Sequence, residues 1–356
     1  MLKTLLIIIL ISVTAGLIFA QAPAIQWMKS LRDSAIGDWV QETNDKGFIL
    51  AGFYEKGPGD ADFYLLKTDS LGNSRWEKTF GGTNHENANS VQQTRDGGYI
   101  IAGVAHDSGS MTYLIKTDSL GNQQWAFKKY SGTAAFGVEQ TNDAGYITAG
   151  RTHAAGAIYI MKMDSNGAQK WMKLFSEHYK SWIPFIPVQQ TSDRGYIVGA
   201  EALIKTDSLG NTQWRKAYNR VYVIFSVQQT FDRGYIATGI GGNEANPRQW
   251  NDIEFKICLI KTDSLGNLKW RRTLGKGCGR CVRQTKDGGY IISGWTDSSG
   301  IDEGYIIKTD SLGNTLWTKK LGIVNKWAMC IQQTYDRGYI IAAEDRLIKL
   351  APENKR

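Results

Sequence analysis

The segment VQQTRDGGYIIAG (Val91–Gly103) decides the fold, because closely similar segments recur along the whole chain. The other copies begin at Val40, Val138, Val188, Val227, Val282 and Ile331, which makes seven in all. Between the threonines of successive copies the spacings are 51, 47, 50, 39, 55 and 49 residues. A period of this length indicates a repeat architecture in which each copy forms one supersecondary unit.

A second repeated segment follows each of the first six copies and carries a tryptophan. A representative copy is LIKTDSLGNQQWAFK (Leu114–Lys128). In both segments, residues that favour strands flank a short turn sequence, DGG or DRG in the first and SLGN in the second. Each repeat is therefore predicted to be a four-stranded antiparallel meander, and the period fits one propeller blade per repeat.

The seventh copy lacks the tryptophan strand and stops at RLIKLAPENKR (Arg346–Arg356), whereas AIQWMKS (Ala24–Ser30) supplies such a strand near the N-terminus. We therefore predict an all-β, seven-bladed β-propeller of four-stranded antiparallel blades, in which the N-terminal strand closes the last blade. This closure removes an open sheet edge. The motif tryptophans are predicted to wedge between blades as core residues; they are Trp27, Trp76, Trp125, Trp171, Trp214, Trp270 and Trp317.

The paired motifs QTxDGGYIIAG and KTDSxGNxxW resemble those of secreted bacterial β-propeller repeat proteins. They are similar, more remotely, to quinoprotein propellers such as the PQQ-dependent alcohol dehydrogenases. The resemblance covers nearly the whole mature chain and implies an architecture rather than an activity, since propellers host enzymes, receptors and scaffolds. The chain has seven repeats where quinoproteins have eight, and it has no adjacent Cys-Cys pair. A PQQ-type oxidoreductase is thus a third hypothesis, and no cofactor is predicted.

The N-terminus reads as a signal peptide, with Lys3 before an apolar run from Leu5 to Val13. We predict cleavage after Ala20, so that residues 21–356 form a single propeller domain with no membrane span; the alternative is an uncleaved N-terminal anchor. The protein is expected to be secreted, whether periplasmic or extracellular, and associated with the cell surface.

Export to an oxidising compartment makes the four cysteines candidates for disulfides. They are predicted on one face of the disc within adjacent blades, at Cys258, Cys278, Cys281 and Cys330. The preferred pairing joins Cys281 to Cys330 and Cys258 to Cys278. A zinc ion held by all four thiolates is the alternative.

The repeated polar residues suit structural tasks. The aspartates of both hairpin turns are predicted to bond turn amides and not to act as a catalytic ring. The glutamine pairs of the innermost strands, such as Gln92 and Gln93, are predicted to satisfy backbone groups that face the channel. A ligand in the channel is the second interpretation of these pairs.

The turns lie on one face of the predicted disc, and the loops that differ between blades lie on the other, which we call the variable face. Variable loops on a rigid scaffold are where binding usually resides. The longest loops are 174–187 and 240–257, and non-motif aromatics and acids gather in this set. The candidate ligand-binding residues are His178, Tyr179, Trp182, Trp250, Asp252, Trp295, Asp302 and Glu303. An equally weighted alternative is that the aromatics plug loops against the blade tops.

All four histidines, His85, His106, His153 and His178, also fall in these loops, but no spaced ligand motif accompanies them, so no metal site is predicted. The formal net charge is +8, and the lysines of the KTD and WxK motifs are expected to spread around the ring and give solubility. No nucleic-acid motif is present, and nucleic acid is not an expected partner.

The leading hypothesis is a secreted or cell-surface binding or scaffold propeller, monomeric, that binds an extracellular glycan or protein through its variable face. Whether the chain is an enzyme stays open, with more weight on a non-enzyme. The alternative is a hydrolase or lyase of extracellular polysaccharide, with Glu177, Asp302 or Glu303 as catalytic acids. A glycosidase needs two carboxyl groups about 5 to 9 Å apart, one on each side of the scissile bond.

Overall fold

A computed structural model describes residues 21–107, 109–152, 156–175, 185–242, 254–297 and 301–353. Seven four-stranded antiparallel sheets make up the chain, a seven-bladed β-propeller as predicted. The predicted signal peptide lies outside the described residues. Within the described ranges, no helix is long and apolar enough to cross a membrane.

Each of the first four blades is a meander whose first strand is innermost and whose fourth is outermost. Blade I contains β2 (Ala35–Glu42), β3 (Phe48–Gly57), β4 (Asp60–Thr68) and β5 (Ser74–Phe80). Blade II contains β6 (Glu86–Gln93), β7 (Tyr99–His106), β8 (Ser110–Thr117) and β9 (Gln123–Ser131). Blade III contains β10 (Thr133–Gln140), β11 (Tyr146–Thr152), β12 (Ile158–Met163) and β13 (Gln169–Phe175). Blade IV contains β14 (Val188–Gln190), β15 (Tyr196–Gly199), β16 (Leu203–Thr206) and β17 (Thr212–Lys216).

The remaining three blades follow the same order, and the last one joins the two ends of the chain. Blade V contains β18 (Val221–Gln229), β19 (Tyr235–Gly241), β20 (Lys256–Thr262) and β21 (Leu268–Lys276). Blade VI contains β22 (Cys278–Gln284), β23 (Tyr290–Asp297), β24 (Asp302–Thr309) and β25 (Thr315–Val324). Blade VII contains β26 (Cys330–Gln333), β27 (Tyr339–Ala343), β28 (Arg346–Leu350) and β1 (Ile25–Ser30).

The N-terminal strand closes the ring, as the sequence predicts. β1 pairs antiparallel with β28, with Trp27 opposite Lys349 and Ser30 opposite Arg346. The amide of Ala351 also donates to the carbonyl of Ala24, so the two chain ends meet at the rim of blade VII. Because of this pairing, β28 is hydrogen-bonded to a strand on each side, and blade VII has four strands like the other blades.

The motif tryptophans pack between neighbouring blades; Trp317 is buried, and the other six are partly buried against the core. Each indole packs against the first aromatic of the next blade, with ring centroids 5.6 to 6.0 Å apart in all seven pairs. Six of the seven indoles also cover the glycine of the SLGN-type turn in the next blade. At Gly72 the backbone has a φ of 78°, and an added Cβ would lie 2.8 Å from the Trp27 ring. Only glycine suits that turn.

The lysines of the KTD motif are not surface charges, which corrects the sequence interpretation. Each lies buried on a third strand and forms an ion pair of 2.8 to 3.0 Å with the aspartate of its own blade's first turn. Lys67 thus bonds Asp45 and the carbonyl of Thr68. Burial raises the pKa of Asp45, but hydrogen bonds from Lys67 and Thr43 outweigh burial and hold the pKa at about 2. These lysines therefore neutralise the turn aspartates and add little exposed positive charge.

The aspartates of both turns have the predicted structural role. In the first turn, Asp45 accepts the amide of Gly47. In the second, Asp69 accepts the amides of Leu71 and Asn73, each at 2.9 Å. The same bonds to the amides two and four residues on recur at Asp118, Asp164, Asp207, Asp263 and Asp310.

The glutamine pairs link neighbouring blades through backbone amides, which supports the structural interpretation. The second member of each pair accepts the amide that follows the turn threonine of the preceding blade, as Gln93 does from Asn44 at 2.8 Å. This bond recurs in all seven blades, and Glu42 closes the circle by accepting the amide of Tyr335. The first member accepts the amide of a residue in the next blade, as Gln41 does from Gln93.

Candidate functional site

Three of the predicted ligand-binding residues, Trp295, Asp302 and Glu303, can be placed. The others, His178, Tyr179, Trp182, Trp250 and Asp252, lie outside the described residues, as does the candidate acid Glu177. Trp295 stacks on Trp327 with ring centroids 6.1 Å apart. The indole nitrogen of Trp327 donates to Asp302 at 3.2 Å, so Trp295 and Asp302 belong to one cluster on the variable face.

Glu303 does not join this cluster. Successive residues of a strand point to opposite faces of the sheet, and Glu303 pairs with Lys320 at 3.0 Å and accepts the amide of Gly322. Asp302 and Glu303 are thus engaged on different sides of β24. They do not face each other as two catalytic carboxyl groups would have to across a glycosidic bond.

β-Bulges interrupt the innermost strands towards the variable face, a feature that the sequence did not predict. In five blades the innermost strand contains one extra residue, two positions before the valine that begins the repeated segment. This extra residue is not paired with the neighbouring strand. We call these residues the bulge ring; they are Asp38, Asn89, Phe136, Phe225 and Arg280. A bulge re-aims a side chain, and bulges are common next to active sites.

The guanidinium of Arg280 lies in a box of aromatic rings. Its Cζ is 4.6 Å from the ring centroid of Phe185, 5.3 Å from Phe225 and 4.9 Å from Trp327. It makes no hydrogen bond to any residue in the described ranges, and its Nε is fully buried. Cation–π contacts offset part of the cost of burial but leave the N–H donors unused.

Asp38 is the acidic counterpart of Arg280 in this site. Its side chain is buried, 7% exposed, and it has no hydrogen-bond partner among the residues that the structure describes. Burial raises the pKa of Asp38 to about 7; Arg280 acts against this rise, and Glu344 adds to it. Glu344 sits where blades VII and I meet: its carboxylate accepts the amide of Trp327, and its carbonyl accepts the amide of Gly37. A buried acid and a half-buried base thus stand near each other without direct contact.

The raised pKa of Asp38 predicts a pH-dependent stability. Because the folded value lies above the unfolded value of about 4, its contribution is fully present below pH 4 and is lost as the pH rises through 7. The loss is on the order of 4 kcal/mol. Unfolding by urea at a series of pH values should show a smaller loss for Asp38→Asn than for the wild type. The exposed Asp33→Asn is the control, and equal slopes for all three proteins would contradict this role.

Two of the four histidines, His85 and His106, lie next to each other. The rings of His85 and His106 meet edge to face with centroids 5.7 Å apart, beside Phe53, and His106 Nδ1 is 3.1 Å from Ser110 Oγ. His153 and His178 lie outside the described residues. Within the described ranges, no group of three or more His, Cys, Asp or Glu side chains is arranged to hold a metal ion.

All four cysteines are free thiols in the structure, and neither predicted disulfide is present. The Sγ atoms of Cys281 and Cys330 are 3.8 Å apart, beyond the bond length of about 2.05 Å. Cys258 and Cys278 lie in separate apolar clusters, and burial raises the pKa of each thiol to about 12. All four side chains therefore pack as small apolar groups in blades V to VII.

Comparisons with known proteins support the fold alone. No protein-family model and no curated protein matches the sequence. Among solved structures, the WD40 β-propeller of Doa1 is similar at 8% identity with a TM-score of 0.65, covering 94% of this chain and 98% of that one. Streptogramin B lyase is similar at 11% identity with a TM-score of 0.63, and the match covers 91% of this chain and 97% of that one. The structure of YCF48 bound to D1 peptide is similar at 12% identity with a TM-score of 0.56, and the match covers 95% of this chain and 99% of that one. The class is thus a β-propeller, a fold that serves binding proteins and enzymes alike.

Proposed function

We propose that this chain is an exported binding propeller that receives a protein segment on its variable face, over the mouth of the channel. The observation that carries the proposal is the pair Arg280 and Asp38: Asp38 is buried, Arg280 is half-buried with its Nε enclosed, and neither has a hydrogen-bond partner in the described part of the chain. Burying such groups unpaired costs free energy. A ligand that brings complementary groups would offset this cost.

The surroundings of Arg280 favour a peptide over a glycan. Binding sites for proteins concentrate their energy in arginine and large aromatic residues that lie in desolvated pockets. Phe185 and Trp327 already pack against Arg280, and Trp327 is stacked on Trp295. The faces of these rings are therefore partly covered and are less available for stacking on a sugar. A peptide can supply a carboxylate or carbonyl to Arg280 and an N–H donor to Asp38. Peptide binding by YCF48, a propeller of the same fold, supports this choice.

The site must be tested with a defined probe, since its ligand is unidentified. A displayed library of random peptides would be selected on the folded mature chain, residues 21–356. The affinity of the recovered peptides would then be measured for the wild type, Arg280→Gln, Arg280→Lys and Arg95→Gln. Arg95 is an exposed arginine beside the turns of blade II, on the opposite face, and provides the matched control.

We expect Arg280→Gln to weaken the recovered peptides by about tenfold or more, because a charged hydrogen bond in a desolvated site is lost. Arg280→Lys should retain part of the affinity, and Arg95→Gln should leave it unchanged. Equal binding by all four proteins would overturn the proposal. A glycan array that yields a saturable ligand sensitive to Arg280→Gln, with no peptide recovered, would replace the protein ligand by a glycan.

A hydrolase or lyase is the second candidate, and one observation favours it. A carboxyl group whose pKa is raised to about 7 beside a second carboxyl group is typical of a general acid. Asp38 and Glu344 would have these roles, in place of Asp302 and Glu303. In that case, Asp38→Asn would abolish turnover of a bound ligand and leave its affinity nearly unchanged.

The compartment and the thiols are parts of the same proposal. We propose that the chain is exported, with the signal peptide removed after Ala20, and acts as a monomer at the cell surface. In that environment Cys281 and Cys330 are placed to form a disulfide between blades VI and VII, because their sulfur atoms are already neighbours. Cys258 and Cys278 lie in adjacent blades and are proposed as the second pair.

A further inference from the structure

The seven innermost strands are nearly alike where they face the channel, and two of them differ. At the first position of the glutamine pair, five blades carry Gln41, Gln92, Gln189, Gln228 and Gln332. Blade III carries Glu139 and blade VI carries Arg283, in VEQ and VRQ instead of VQQ. These blades are three apart in the ring of seven, so the acid and the base stand across the channel from each other.

The carboxylate of Glu139 is not required for the fold. It accepts the amide of Gln190 at 2.5 Å, the same inter-blade bond that Gln41 makes to Gln93 with a neutral amide. A glutamine would serve equally there and would avoid a buried charge. Burial raises the pKa of Glu139 to about 7, although the bond from Gln190 and the charge of Arg283 oppose this rise. The acid is therefore costly and structurally unnecessary.

The guanidinium of Arg283 has no inter-blade role of this kind. An arginine has no acceptor atom, so it cannot bond a backbone amide of blade VII as a glutamine would. Its Nη1 donates to the carbonyl of Val282 at 2.7 Å and to Ser226 Oγ at 3.2 Å, and its Cζ lies 5.2 Å from the ring centroid of Trp39. Arg283 and Glu139 both lie within the described residues and form no ion pair with each other, although the charge of Arg283 acts to lower the pKa of Glu139.

A cavity of about 170 Å³ lies between the two groups. Its walls combine apolar side chains, among them Trp39, Phe136 and Phe225, with the amides of the glutamine ring. A protein cavity of about 150 Å³ holds a benzene ring. The channel cavity therefore fits a molecule of about seven non-hydrogen atoms, with an anionic pole towards Arg283 and a cationic pole towards Glu139.

We propose that the channel cavity binds a small zwitterion of amino-acid size, whose carboxylate meets Arg283 and whose ammonium meets Glu139. The ring amides supply further donors and acceptors, and the aromatic wall receives an apolar side chain. This site shares the rings of Phe185 and Phe225 with the peptide site over Arg280, but its charged groups, Glu139 and Arg283, are different ones, so its test does not depend on the peptide proposal.

The test uses the purified chain of residues 21–356, free amino acids, and two derivatives of each amino acid that lack one of its two charges. Thermal shift and calorimetry would compare each standard L-amino acid with its amide, which lacks the carboxylate, and its N-acetyl form, which lacks the ammonium. A dipeptide of the best amino acid distinguishes a free amino acid from a chain terminus. We expect one or a few amino acids to raise the melting temperature saturably, and both stripped analogues to bind at least about tenfold more weakly.

Two variants link the binding to these residues with little risk to folding. Glu139→Gln and Arg283→Gln each install the residue that five other blades already carry, so the ring should assemble. Each should weaken binding of the amino acid by about tenfold or more, whereas Arg95→Gln, which changes an exposed residue in the first turn of blade II, away from the cavity, should not. The proposal is overturned if no amino acid shifts the melting temperature, if a stripped analogue binds as well, or if both glutamine variants bind like the wild type. Tighter binding of the dipeptide would replace the free amino acid by a chain terminus.

Discussion

Removal of residues 21–31 is expected to abolish cooperative folding, because this segment carries the strand that closes the ring. Its loss would leave β28 as an open edge and blade VII with three strands. It would also remove Trp27, whose ring contacts Phe48 at 5.9 Å and covers Gly72 of blade I. An unpaired edge next to an exposed apolar groove is a template for aggregation. Circular dichroism and light scattering on the refolded chain would show the loss.

A permuted chain separates the role of the strand from the role of its sequence position. The amide of Ala351 bonds the carbonyl of Ala24, so β1 could follow β28 through a short turn, as in the other blades. Residues 21–31 joined after Arg356 should therefore restore a melting transition close to that of the wild type. A truncated chain that melts like the wild type would refute closure by β1.

Trp317→Ala is expected to lower the free energy of unfolding by about 3 to 5 kcal/mol, the usual cost of truncating a buried aromatic. The side chain is 4% exposed, and its ring lies 6.0 Å from that of Tyr339 in the next blade. Its indole also donates to Glu353, which accepts the hydroxyl of Tyr339 at 2.6 Å. The change would open a cavity at the junction of blades VI and VII.

Leu312→Ala gives the matched control, because Leu312 belongs to the repeated SLGN turn and its side chain is 59% exposed. It should cost less than about 1 kcal/mol. Urea unfolding of both variants would measure the difference. A loss for Trp317→Ala no larger than that for Leu312→Ala would contradict the role of the tryptophans as wedges between blades.

The sequence predicts best what is repeated. The first motif and the motif tryptophan each occur seven times, so the blade number and the closure by β1 do not depend on a chance similarity at one position. The buried lysines were misjudged because a lysine in a KTD motif resembles a surface residue. Their positions did contain a signal, since Lys67 stands in a run of apolar residues on a third strand, where only a paired charge is tolerated.

The site is where the repeats differ, and only part of it could be predicted. Glu139 and Arg283 are visible as departures from VQQ and could have been identified by aligning the copies. Asp38 and Arg280 were missed for a different reason: their orientation depends on bulges, and a register shift leaves no clear mark in the residues themselves. Their isolation from other polar groups is a property of the assembled ring.

Amide hydrogen exchange tests most directly whether the ligand binds over the channel mouth. Exchange would be followed on residues 21–356 with and without a peptide recovered from the library. We predict slower exchange at the variable-face ends of β2 and β22, next to Asp38 and Arg280, and no change in the turns at 43–47 and 69–73. Protection confined to those turns, with β2 and β22 unchanged, would place binding on the opposite face and contradict the proposed function.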